Sequence, residues 1–385
     1  MSRIEEVLRQ DVFSRDDIIR LLSAVEAEEL EMISQAAGRT LMERCSDKVY
    51  LRGLIEFSNI CTMDCLYCGL RKSNQKVNRY CLTKKEIVAA AYECAANGLG
   101  SIVLQSGERR DASFIDFVTD VVREIKRQTV SEKLSDGLGI TLCVGEQSPE
   151  NYRRFFNAGA HRYLLRIETS HPGLFKKIHL PRQRMESRLR CLEVLKEIGY
   201  QVGTGVMIGL PGQTISMLAD DILFFRDIDI DMIGMGPYIC HPDTPMYKHH
   251  QSVDRRRNEI FRRSLLMIAA ARLVLKDVNI ASTTALQAMD PLGREKGIRF
   301  GANVVMPQLT PAGYRGDYLI YPGKPCLNEG NNECRIRFEN EMRSLGRAVA
   351  IDQWGDPKHF ITRTKKTRGN GPASYESLAE QRLNR

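Results

Sequence analysis

The chain has 385 residues, with 56 Lys+Arg against 48 Asp+Glu, and 11 Cys. Hydrophobic residues at 43% and charged residues at 27% are ordinary globular values, which exclude a disordered or fibrous chain. The net charge of +8 is a mild surplus, and the basic runs Arg255-Arg256-Arg257 and Lys365-Lys366 are short and free of aromatics, so no nucleic-acid surface is expected.

Residues 1–48 read as a polar helical extension, with Ser14 as an N-cap ahead of Arg-Asp-Asp. A strand-then-helix rhythm follows. Tyr50–Phe57 is an apolar run, and Thr83-Lys-Lys-Glu86 is a capping box opening a helix that stops at Gly98. Strands are expected at 101–104, 140–144, 161–167, 201–208, 232–235, 278–283 and 303–306. Helices are expected around 113–127, 149–157, 185–198, 214–227, 254–275 and Arg294, with Gly159 and Gly199 as stops. Strands alternating with helices pair in parallel through right-handed crossovers. Eight such units predict an α/β fold: a complete (β/α)8 TIM-type barrel over 49–345, with a doubly wound open sheet as runner-up. A C-terminal extension, 346–385, is expected to end in a partly disordered tail after Thr364.

The N-terminal Met-Ser-Arg-Ile-Glu-Glu lacks an apolar h-region, and no run reaches about 18 apolar residues. A cytoplasmic protein with no membrane partner is expected. An odd number of cysteines without an export signal then favours metal or redox use over disulfides.

Cys61-Thr-Met-Asp-Cys65-Leu-Tyr-Cys68 is the strongest motif. Three thiolates on a loop at the C-terminal end of the first strand can hold a cubane cluster and leave one iron open. A zinc site is the alternative, but structural zinc wants four closed ligands and no second pair is evident. An open iron suits the amine and carboxylate of an amino acid.

This CxxxCxxC motif, with Tyr67 as the aromatic before its last cysteine, resembles the signature of radical S-adenosylmethionine (SAM) enzymes. The resemblance implies a 4Fe-4S cluster on Cys61, Cys65 and Cys68, with SAM on the fourth iron. It further implies reductive cleavage of SAM to a 5′-deoxyadenosyl radical. The wider context is similar to the HydE family of FeFe-hydrogenase maturases over roughly residues 48–345: Ile55–Cys61, Cys68–Lys72, Leu104–Glu108, Tyr163–Thr169, Gly209–Thr214, Gly236–Pro245, Ser282–Thr284, Gly301–Pro307 and Tyr321–Lys324. Biotin synthase and methylornithine synthase are more distant relatives on the same scaffold. The resemblance implies a small substrate, an iron–carbonyl–cyanide precursor carrying cysteine, together with partner maturases and an electron donor such as flavodoxin or ferredoxin. A methylornithine- or biotin-synthase-like enzyme acting on an amino-acid-derived substrate is one alternative, and a non-catalytic iron–sulfur carrier is another.

Gln105-Ser106-Gly107-Glu108 ends the second strand with polar groups and a glycine that permits close approach to a ligand. By resemblance these residues hold SAM, as do Tyr67, Cys143, Glu168, Arg188 and Met207. The match at Arg188 needs a one-residue insertion. Arg166 lies among apolar residues of the fourth strand and needs a partner or an anionic ligand. The resemblance places it near the substrate, with Thr283, Thr284, Met306, Tyr314 and Arg315 lining the cavity.

The sequence also departs from the family. Many maturases carry an accessory cluster on three cysteines near the C-terminus. Here Cys326 and Cys334 are followed by Arg337 where the third would stand, so this cluster is expected to be absent or labile. Cys143, Ile167 and Arg109-Arg110 stand where other residue types are usual. Cys45, Cys81, Cys94 and Cys191 are read as packing residues. Cys240 and His241 lie near the mouth, with His241 as a hydrogen-bonded loop group.

Overall fold

The first strand is the longest, β1 (Lys48–Ser58), and it carries the sheet from the barrel floor to the cysteine loop. The structure is a computed structural model and describes residues 3–325 and 339–369. Seven strands follow: β2 (Ser101–Ser106), β3 (Gly139–Cys143), β4 (Arg162–Leu164), β5 (Gln201–Thr204), β6 (Met232–Ile233), β7 (Asn279–Ile280) and β8 (Val304–Val305). All pair in parallel, in the order β8-β1-β2-β3-β4-β5-β6-β7. The paired strands curl through 273°. The ring is completed at one rung, where Val304 pairs with Tyr50 on one side and bridges Ala281 on the other. There Ser282 N donates to Val304 O at 2.8 Å, and Asn303 N to Ile280 O at 2.9 Å. This is the α/β barrel the rhythm predicts.

The helices start where local chemistry says they should. Thr83 accepts from Glu86 N while Glu86 reaches back to Thr83 N at 2.8 Å, and Ser14 and Asp17 form the same box. Helices end at Gly159 and Gly199 as expected. Their apolar faces pack on the sheet around Ile55, Ile102, Ile140, Tyr163 and Val202, all fully buried.

Several expected spans are corrected. The later strands are shorter than their apolar runs: 161–167 yields only Arg162–Leu164. The run 201–208 splits and 232–235 yields only Met232–Ile233, while Met207–Ile208 pairs with Gly236–Pro237, just past the second run, in a small sheet of its own. Strand length fails because polar side chains replace ladder bonds. Thr204 Oγ1 donates to Leu165 O at 2.8 Å and accepts from Ile167 N at 3.1 Å. The expected helix 254–275 breaks at Arg256 into His250–Arg255 and Arg257–Leu275. Helices at Pro172–Ile178 and Thr284–Met289 were not signalled by the sequence pattern.

The C-terminal extension is structured well past the barrel. β9 (Ala348–Ala350) adds to β1 in parallel. Residues 354–356 then plug the barrel floor. Arg162 donates to Trp354 O at 2.6 Å and pairs with Asp356, while Arg52 and Asn279 donate to Gly355 O at 3.1 and 2.8 Å. The helix Lys358–Gly369 runs past Thr364, where order was expected to fade.

That last helix docks through charge. His359 bridges Asp229 at 2.8 Å and Asp277 at 3.3 Å, and Arg363 pairs with buried Asp231 at 2.7 Å. Burial disfavours the imidazolium, but the two carboxylates win and raise His359 to about 9. A raised histidine contributes stability below its unfolded value of about 6.5, and loses it as pH rises through the folded value. We therefore expect the melting temperature of the wild type to exceed that of His359→Gln at pH 6, with the gap closing by about pH 10. A gap independent of pH would show that the histidine contributes packing only.

Candidate active site

Beyond β1 the chain enters the cysteine loop, and side chains from elsewhere set its path. The Arg79 guanidinium collects four carbonyls: Asn59 and Leu70 through Nη1 at 2.7 and 2.9 Å, Arg71 and Asn74 through Nη2 at 2.7 and 3.2 Å. Asp64 binds Arg71 at 3.1 Å and Ser73 N at 2.9 Å. The loop also needs a bare backbone beside it. A Cβ on Gly107 would lie 2.4 Å from Ile60 O and 2.7 Å from Cys61 Cβ. On the far side, a Cβ on Gly69 would lie 2.5 Å from the His241 ring. His241 accepts from Asp243 N at 3.1 Å, the hydrogen-bonded loop role expected of it.

Cys61, Cys65 and Cys68 all stand half-buried in this loop. Cys61 Sγ accepts from Met63 N and Glu108 N, both at 3.4 Å, and Cys65 Sγ accepts from Gln183 Nε2 at 3.0 Å. Burial pushes all three thiols up, Cys65 to about 11. Donors aimed at sulfurs that burial keeps neutral are the setting a metal completes, because a cation holds the thiolate form. Among the described residues no three His, Cys, Asp or Glu side chains converge on one ion.

The end of β4 builds the opposite wall. Glu168 has φ 66, a left-handed conformation rare for a residue with a side chain. The Thr204 bridge precedes it, and Glu168 N donates to Gly205 O at 2.9 Å. Arg166 turns back on Glu168, with Nε and Nη2 both at 3.0 Å from the carboxylate. It also donates to Gly234 O, and to Val206 O at 3.0 Å. Arg188 is buried, donating to Glu146 at 2.9 Å and to Arg166 O at 2.8 Å. The carboxylates hold both guanidiniums above their ordinary range against the cost of burial. Ser170, two residues on, donates through N and Oγ to Asp221 at 2.6 Å each, and burial pushes Asp221 up to about 7.

The other expected residues divide. Tyr67 stands edge-on to His179 at 5.5 Å and packs in one apolar cluster with Met207. Gln105 donates to the Tyr318 hydroxyl at 3.3 Å, and Ser106 to Gly107 O at 2.8 Å. Cys143 ends β3, where burial pushes it up to about 11 against the pull of Arg166. Thr283 donates to Met235 O at 3.3 Å, Thr284 meets the Tyr321 hydroxyl at 2.7 Å, and Met306 is half-buried. Two more have their partners on neighbouring segments. Glu108 turns its carboxylate to Arg110 at 2.6 Å and its carbonyl to Thr62 at 2.9 Å, so it braces the loop. Tyr314 donates to Glu86 at 3.1 Å and packs on Tyr80 at 4.9 Å.

Among the remaining cysteines, Cys94 and Cys240 are buried and fit packing, but Cys81 is exposed. Cys326, Cys334 and Arg337 lie outside the described residues.

Sequence reasoning missed Arg79, Gln183 and Glu146. None carries a local signal, because each acts on a distant segment. It also missed that two of the motif blocks meet. Lys324 Nζ sits 2.5 Å from both Glu56 oxygens, both side chains fully buried, and Gln308 donates to Glu56 at 2.7 Å.

Comparison with known proteins agrees with this geometry. A profile of the radical SAM superfamily matches residues 55–225. The chain is 42% identical to the [FeFe] hydrogenase maturase subunit HydE of Thermotoga maritima, over 93% of this chain and 98% of the relative. It is 25% identical to 3-methylornithine synthase of Methanosarcina acetivorans, over 78% of this chain and 81% of that one. The crystal structure of methylornithine synthase superposes with a TM-score of 0.74 at 21% identity, covering 91% of this chain and 98% of that one, and shares the fold.

Gln183→Leu removes the N–H···S bond to Cys65. Hydrogen bonds to cluster sulfurs raise the reduction potential. The expected outcome in a reconstituted protein is a more negative midpoint in an EPR-monitored redox titration. An unchanged midpoint would show that Gln183 does not touch a cluster ligand.

Proposed function

Because the chain belongs to the radical SAM superfamily and, within it, to the HydE family, we propose that it cleaves SAM reductively and serves FeFe-hydrogenase maturation. When bound, a 4Fe-4S cluster with SAM on its open iron supplies the electron that breaks the C–S bond and yields a 5′-deoxyadenosyl radical. The observation that carries this reading is the set of three half-buried thiols at the C-terminal mouth of a parallel barrel, two of them already receiving N–H donors. Active groups of such barrels sit at that mouth.

Cys61, Cys65 and Cys68 would hold the cluster. Tyr67, fixed edge-on by His179 and beside Met207, offers an apolar wall for the adenine. Arg188 and Glu168 are assigned to SAM's carboxylate and ribose or amine, with Gln105, Ser106 and the bare Gly107 backbone on the facing strand. Arg188 is anchored by Glu146 and Arg166 O, so its guanidinium is already oriented before SAM binds. Arg166, Thr283, Thr284 and Met306 are assigned to the cavity that takes the substrate, and Cys143 to the SAM side of it. The substrate class is the small organometallic, cysteine-bearing precursor handled with partner maturases. A closed cavity keeps the radical from water and side reactions.

No described helix is long and apolar enough to cross a membrane. We assign the protein to the cytoplasm, where free thiols stay reduced. We also hold that no accessory cluster forms, since Cys326 and Cys334 lack a third thiol at Arg337.

Two measurements test this reading. Anaerobic reduction with SAM should release 5′-deoxyadenosine from the wild type and none from Cys65→Ala, whose cluster absorbance should also be lost. Release by the variant would mean that the ligands are misassigned. Iron analysis after reconstitution should give about four irons per chain, unchanged in Cys326→Ala. A larger count that falls in that variant would establish the accessory cluster.

A further inference from the structure

One basic groove lies against the cysteine loop and has no part in the site above. It is a surface cavity of about 550 Å³ with Leu66, Ile178 and Met246 on its floor and Lys177, Lys248 and Arg256 on its walls. The floor is pinned to the loop by backbone bonds: Leu66 N donates to Ile178 O at 3.0 Å, and Met246 N to Leu66 O at 3.3 Å. Leu66 lies between Cys65 and Tyr67, so the groove reaches within one residue of a cluster ligand. None of its lining residues is acidic.

The charge of the groove is only partly compensated. Lys177 and Lys248 are exposed, and neither makes an ion pair among the described residues. Arg256 pairs with Glu259 at 3.1 Å, but that one carboxylate also serves Arg263 at 2.5 Å. Arg255 and Arg257 flank it on the exposed surface, so the short basic run of the sequence ends at this groove. An apolar floor flanked by two unpaired lysines and an arginine that shares its carboxylate is complementary to an acidic protein surface with an apolar centre.

We propose that this groove is the docking site of a small acidic redox protein carrying a flavin or an iron–sulfur centre, whose electron enters the cluster past Leu66. The inference rests on the radical SAM reading of the cysteine triplet. One electron leaves the reduced donor, and the cluster gains it. No bond is made and no proton moves in this step. The remaining loop faces suit docking less well: Arg71 and Arg182 are both taken by Asp64, at 3.1 and 3.6 Å.

The test uses the reconstituted full chain, with a flavodoxin hydroquinone and a reduced two-cluster ferredoxin as parallel probes. Binding is measured by titration at low and high salt, and cluster reduction by stopped-flow absorbance with dithionite as control. For the probe that binds, Lys177→Glu/Lys248→Glu should raise the Kd at least about tenfold and slow cluster reduction by a similar factor. Binding should weaken with salt. Lys177→Arg/Lys248→Arg should behave as the wild type, and reduction by dithionite should be equal in all three. The proposal is overturned if the Glu variant binds and is reduced as fast as the wild type, or if neither probe binds the wild type. In either case 5′-deoxyadenosine formed with dithionite keeps the radical SAM reading standing, whereas its absence in the wild type sinks that reading first.

Discussion

The guanidinium of Arg166 is the interaction on which the mouth of the barrel depends. A half-buried arginine must have most of its N–H donors met, and here they are met by three different segments. Glu168 takes two of them from the same strand end, while Val206 O and Gly234 O take others beyond β5 and β6. Val206 O also accepts from Gly236 N at 3.4 Å at the start of the short second sheet, so Arg166 sits where the main strands end and their continuations pair separately. Glu168 can reach back only because its backbone turns left-handed. Arg188, docked on Arg166 O, extends the same web to Glu146. The irregular backbone is thus the means by which two cations and two anions are fixed around a cavity.

The cysteine loop follows the same logic. It has no regular structure, so its carbonyls and amides have to be met from outside. Arg79, Asn59 and Asp64 do this, and Gln183 and two backbone amides reach the sulfurs. Groups held by several independent contacts lose little freedom when a ligand arrives. Rigid elements below and a braced loop above are what a site needs to control a reactive intermediate.

What the sequence made legible was local. The N-cap at Ser14, the capping box at Thr83, glycine stops at 159 and 199, and three cysteines within eight residues all act over a few positions, so spacing alone revealed them. The count of eight strands was also legible, because each apolar run marks one strand even where the run is too long. Strand ends were not, since they are decided by Thr204 and Arg166 bonding across strands. Glu56 and Lys324 could be seen as motif residues, but not as a pair, with 268 positions between them. The bond from the Tyr314 hydroxyl to Glu86, 228 positions away, was hidden for the same reason. The exposed Cys81 shows the limit of reading a lone cysteine as packing.

The plug at the opposite end of the barrel has a consequence for how the chain is made. Arg52 and Arg162 belong to the first and fourth strands, yet their partners Trp354, Gly355 and Asp356 are among the last described segments to be synthesised. During translation from the N-terminus, the sheet can assemble while these two cations still face water through an open base. Only when residue 356 has emerged can the base dry out and the two charges be buried. A ribosome stalled after β8 would therefore carry a ring of strands with a wet, doubly positive well beneath it, a form that quality-control proteases could tell apart from the finished molecule.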